Sequence, residues 1–143
     1  MKSNFITIFI LSLVVPSFAT ASPRDCADNF TVDGTFESGR TFKTAAFVPN
    51  VSKADAINAA GRDLASVGWQ INSTNESMGV ISASQVVTYG QGKTAPLNVL
   101  VDEANGGVNV SMTYTISGGL DSPVEAVVNQ FCTTIGAIAD TTY

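Results

Sequence analysis

Histidine is missing from all 143 residues of this chain. Its absence excludes Ser–His and Cys–His nucleophilic sites and removes the commonest zinc ligand. Cysteine is held to two, Cys26 and Cys132, without the C-x-x-C spacing of a redox pair. Charge is sparse at 13% of residues, and the twelve acidic side chains are scattered singly apart from Asp102-Glu103. Neighbours on a strand point to opposite faces, so that pair is a charged strand end and not a metal or acid/base site. Basic residues are the minority, which excludes the cationic face that nucleic acid or an anionic membrane surface requires. After the first 21 residues no run is long and apolar enough to span a bilayer, and no repeat or low-complexity linker interrupts the chain.

What is present begins with an export signal. Lys2 supplies a positive start, Phe5 to Val15 is apolar except for Thr7 and Ser12, Pro16 ends the stretch, and Ala19-Thr20-Ala21 is an A-x-A cleavage site. Residues 1–21 are therefore expected to be removed, leaving 22–143 as one α+β domain in the periplasm or outside the cell. Lys2 is the only charged residue of the leader, so the mature chain carries six basic against twelve acidic residues, a net −6. Pro23-Arg24-Asp25 precedes Cys26 where a lipoprotein would need small residues, so no lipid anchor is expected. An oxidising compartment lets Cys26 and Cys132 pair, a staple worth up to ~4–5 kcal/mol for a loop of about a hundred residues.

Along the mature chain, alternation over Phe30–Phe36, a turn at Glu37–Arg40 and extended chain from Thr41 to Val48 predict one or two strands. Ser52 with Asp55 opens a helix whose apolar side carries Ile57, Ala60, Gly61, Leu64 and Ala65, and Gly68 ends it. Strands follow from Trp69, over Val80–Thr88 and over Leu97–Asp102. Asn105-Gly106-Gly107 is a hairpin signal, and Val108, Val110, Met112, Tyr114 and Ile116 alternate cleanly with polar residues. Gly118-Gly119 breaks that strand. Ser122-Pro123-Val124-Glu125 then reads as cap, first-turn proline and acid, opening a helix with a stripe of Val124, Val127, Val128, Phe131, Ile135 and Ile138. The order strand(s), helix, four strands, helix predicts an α+β two-layer sandwich, an antiparallel sheet of five or six strands with both helices on one face.

Two motif echoes lead nowhere. Gly92-Lys93-Thr94 resembles the end of a phosphate loop, but Val87 stands where its first glycine belongs. Gly90–Ala95 satisfies a loose dinucleotide pattern yet runs through Pro96 into a strand, not a helix. It reads as a hairpin loop, from which Tyr89 and Lys93 could meet a partner. Sequons at Asn29, Asn50, Asn72, Asn75 and Asn109 are ordinary in an Asn-, Ser- and Thr-rich chain whose leader reads as bacterial.

The polar face of the cleanest strand presents Asn109, Ser111, Thr113 and Thr115, extended by Asn98 and Ser82, as an uncharged ladder suited to a glycan or protein partner. A helix ending Leu64-Ala65-Ser66-Val67-Gly68-Trp69, then Gln70-Ile71, a turn, and Gly79-Val80-Ile81 resembles the small BamC-like helix-grip domains of bacterial envelope proteins. That resemblance covers about thirty residues, Ala54–Ala83. It implies the fold and an envelope setting and transfers no functional residue, since the lipidated cysteine and second domain of that family are missing here. The expectation is an exported, non-catalytic binding or accessory protein of the envelope, with no catalytic, cofactor or metal site. One alternative is a carrier holding an apolar ligand between helices and sheet, lined by Trp69, Phe131 and Met112. A carboxylate-based hydrolase is a third.

Overall fold

Alternation over Gly107–Ser117 makes this strand, β6, the spine of the fold. Val108, Val110, Met112, Tyr114 and Ile116 are all buried, while the residues between them face away from the core. The computed structural model describes residues 23–87 and 90–141; the expected leader and Tyr89 lie outside them. Within the described residues the order is α1 (Pro23–Asp28), β1 (Thr31–Thr35), β2 (Gly39–Pro49), α2 (Lys53–Ser66), β3 (Gln70–Asn75), β4 (Val80–Val86), β5 (Thr94–Ala104), β6 and α3 (Val124–Ala139).

The strands form one antiparallel sheet in the order β1-β2-β6-β5-β4-β3. The anticipated two-layer α+β sandwich is the architecture found, with six strands. β3 to β6 are the anticipated meander. β2 then pairs along its whole length with β6, from Gly39 opposite Ser117 to Pro49 opposite Gly107. This leaves β1 and β3 at the edges. Phe42, Ala46 and Val48 of β2, Ala95, Leu97, Val99 and Val101 of β5, and Ile81 and Ala83 of β4 complete the apolar face laid down by β6.

α2 and α3 cover that face. Ser52 caps α2 as expected, its hydroxyl accepting from the Asp55 amide at 3.1 Å. The helix ends with Gly68 at φ +98°, where the amides of Gly68 and Trp69 turn back to the carbonyls of Ala65 and Leu64. Ala56, Ile57, Ala60 and Leu64 are its buried residues; Ala65, placed on the apolar side by spacing, is exposed. On α3 the buried positions are Val127, Phe131, Thr134, Ile135 and Ile138, whereas Val124 at the helix start is exposed. Thr134 is tolerated in the interface because its hydroxyl donates to Asp63 Oδ2 of α2 at 2.7 Å.

The helix α1 has too few residues to show periodicity and was not anticipated. It is held from two sides. Cys26 is bonded to Cys132 of α3 across 106 residues, with Cα atoms 5.6 Å apart. The buried Thr44 hydroxyl of β2 donates to the Cys26 carbonyl at 2.6 Å. β1, expected to alternate, is exposed throughout because it is an edge strand reaching beyond the helical layer. No helix among the described residues is long and apolar enough to cross a membrane.

Candidate functional site

The end of the sheet beneath the start of α3 is where the layers part. Gly118 follows β6 and packs so tightly on the β1–β2 turn that a Cβ there would lie 2.1 Å from the Glu37 carbonyl oxygen. Gly119, at φ +80°, donates its amide to the Phe36 carbonyl at 2.8 Å. These two glycines turn the chain away from the sheet, and Leu120 to Pro123 form a wall before α3 begins.

Two side chains hold that wall. Arg40, on β2, donates from one guanidinium nitrogen to Asp121 Oδ1 at 2.5 Å and to the Ser122 carbonyl at 3.2 Å. Its side chain is only 17% exposed and lies over the Phe42 ring at 5.3 Å. Tyr114 of β6 meets the Ser122 hydroxyl at 3.2 Å. Ser122 therefore does not cap α3 as the sequence suggested. Pro123 occupies the cap position without a side-chain hydrogen bond, and the helix starts at Val124. The serine has turned instead to the tyrosine on the sheet.

Between this wall, α3 and the sheet lies an open cleft of about 590 Å³. Trp69, Tyr114 and Phe131 make its floor; Ala126, Val127 and Gln130 of α3 make one side; Gln85, Val86 and Val87 at the end of β4 make the other; Phe36 stands at the rim. The floor is built on a chain of ring contacts. Trp69 sits edge-on to Tyr114 at 5.4 Å, Tyr114 stacks on Phe42 at 5.8 Å, and Phe30 bridges Phe42 and Phe131 at 6.2 and 5.9 Å. Among the described lining residues Asp121 is the single formal charge.

Trp69 and Phe131, the residues suggested for an apolar ligand, are thus brought together, but Met112 is not with them. It is fully buried one step further into the sheet, and Tyr114 takes its place because the next inward-facing position of β6 is the one that reaches the cleft. Sequence reasoning also missed Phe36, Leu120 and Gln130. The Gly118-Gly119 break followed by Ser122-Pro123 was the available signal that a wall forms here.

The ladder lies elsewhere. Asn109, Ser111, Thr113 and Thr115 project from the face without helices. Thr113 is flanked by Lys43 on β2 and Asn98 on β5, and Ser82 of β4 donates to Asn98 Oδ1 at 2.7 Å. Lys93 is exposed on the β4–β5 loop, apart from both the ladder and the cleft lining. Asp102 is paired opposite Asn109 and Glu103 opposite Val108, so the two carboxylates do point to different faces. Among the described residues no three Cys, Asp or Glu side chains gather as metal ligands. No family model matches this chain, and no curated protein matches it.

Proposed function

We propose that the mature chain is an exported, non-catalytic binding protein of the bacterial envelope, which takes a small apolar, ring-bearing molecule into the cleft floored by Trp69, Tyr114 and Phe131. The cleft carries this reading. Its volume of about 590 Å³ falls in the range of ~300–1,000 Å³ typical of ligand sites, with an apolar lining and a few convergent polar groups. The disulfide and the leader pattern at 1–21 support export, and the BamC-like resemblance supports a periplasmic setting.

Trp69 is the only tryptophan, so occupancy of its ring face has a direct optical readout. Titration with the neutral probe N-phenyl-1-naphthylamine should quench Trp69 emission and enhance probe emission saturably. Ala126→Phe, which adds bulk on an exposed lining position of α3, should weaken probe affinity at least tenfold without lowering Tm. An unsaturable response, or undiminished binding by the variant, ends this reading.

A second reading draws on the uncharged row of Thr113, Asn98 and Ser82. That row offers neutral hydrogen-bonding groups, with Lys43 beside Thr113 and Asp102 beside Asn109 at its margins, as a glycan or a polar protein surface would need. Paired Ser111→Lys and Thr113→Lys substitutions should abolish glycan-array or pull-down capture if this face binds; identical capture profiles dismiss it.

A further inference from the structure

A ring floor is indifferent to what the ring carries, but the polar groups around it are not. Gln130 has committed its amide nitrogen, which donates to Thr134 Oγ1 at 3.2 Å and towards Asp63 Oδ2 at 3.5 Å. A carboxylate can only accept, so this contact fixes the amide's orientation and leaves the Gln130 carbonyl oxygen to offer a ligand. Asp121 accepts from Arg40 through Oδ1, while its Oδ2 has no partner among the described residues and its side chain is 71% exposed. The Tyr114 and Ser122 hydroxyls share one hydrogen bond, which uses one of their two donor hydrogens and leaves the other as a single neutral donor. Among the described lining residues Gln85 is another neutral side-chain donor.

Cations are scarcer still. Among the described residues no Lys or Arg lines the cleft. Arg40 stands behind the wall, with its terminal nitrogen engaged by Asp121 and the Ser122 carbonyl. The amino end of α3 is positive in principle. Asp121 before it and Glu125 in its first turn already complement it, and Pro123 brings no amide hydrogen. A ligand carboxylate or phosphate would therefore meet a carboxylate and an amide carbonyl, with neutral donors only and no cation among the described lining residues; the Arg40 Nε that lacks a partner is buried behind the wall.

We infer that the cleft selects ligands that donate hydrogen bonds, an amine or a hydroxyl carried on an apolar ring body, over ligands bearing a carboxylate or phosphate; the inference rests on the cleft being a ligand site. The amine or hydroxyl head sits against Asp121 Oδ2 and the Gln130 carbonyl, and the ring lies on Trp69 and Tyr114. An ammonium head adds cation–π attraction at those rings to its pairing with Asp121.

Calorimetric titration of the full mature protein with biphenyl-4-methylamine, biphenyl-4-methanol and biphenyl-4-carboxylate compares three heads on one ring system. The amine and the alcohol should bind, and the carboxylate should bind at least tenfold more weakly. Asp121→Asn should erase the amine's advantage over the alcohol. Arg40→Met breaks the same ion pair yet keeps the carboxylate, so the amine-to-alcohol ratio should hold or rise even if a looser wall weakens both. Carboxylate binding equal to the alcohol's, or an amine advantage that survives Asp121→Asn, overturns the inference and leaves the cleft a ligand site. Failure of all three probes overturns the ligand site itself, and the inference with it.

Discussion

Two glycines with similar backbone angles carry different obligations. Gly79, at φ +71°, has no room for a Cβ, which would lie 2.0 Å from the Val101 carbonyl oxygen; Gly119, at φ +80°, faces open space. Gly119→Ala should cost only the left-handed penalty, about 1 kcal/mol. Gly79→Ala adds a backbone clash between β4 and β5 and should cost about 3 kcal/mol. Urea unfolding of both variants checks the order; equal costs would mean that steric room at Gly79 is irrelevant. Thr134 is a second residue-scale test. Replacing it with valine preserves shape but removes the donor to Asp63, and should destabilise by about 2 kcal/mol, as for a buried bond to a charged acceptor. Glu37 is held below the usual carboxylate range by its backbone hydrogen bond and by the Thr35 hydroxyl. A lowered folded pKa gives stability that is present at neutral pH and lost as pH falls through that lowered value. Glu37→Gln should remove this acid-side loss in the β1–β2 hairpin, as read by melting curves across the acid range.

At the scale of elements, α1 exists because of what holds it. Six residues are too short to be helical alone. The Cys26–Cys132 bond and the Thr44 hydroxyl supply the constraint. Replacing both cysteines with serine should lower stability by about 2–5 kcal/mol and raise amide exchange first in α1 and the neighbouring part of α3. Uniform loosening of the whole sheet would instead show that the bond stabilises chiefly by restricting the unfolded chain. The start of α3 illustrates the limit of local reading. Ser122-Pro123-Val124-Glu125 has the sequence of a helix start, but tyrosine and arginine side chains from the sheet take Ser122 for the wall. Only positions after Pro123 retain helical freedom to follow the pattern.

For the whole molecule, the two sheet faces divide the chemistry. One is sealed by helices except at the end where Gly118-Gly119 leads the chain away; the other carries the polar row of β6 flanked by exposed Phe47 and Leu100. Period-two alternation made the strand faces legible, since a one-residue slip in any of β2, β5 or β6 would turn an apolar set to water. The two helices were legible from their stripes and end signals, and the cysteine pairing from the expectation of export that the leader pattern raises. These are properties of local spacing, and burial enforces them wherever the chain folds. The cleft was legible only in Trp69 and Phe131. Tyr114 looked like one more core residue of β6, and Arg40 and Asp121 lie 81 residues apart. Nothing local could join them. The sequence alone determined the layers, the order of the elements after α1 and the staple, because apolar periodicity and two cysteines leave few alternatives. Tertiary structure alone decided the strand order that sets β2 beside β6. That pairing carries Arg40 to the loop before α3, and so the wall, the ring floor and the acceptor-rich cleft exist only once the sheet has closed.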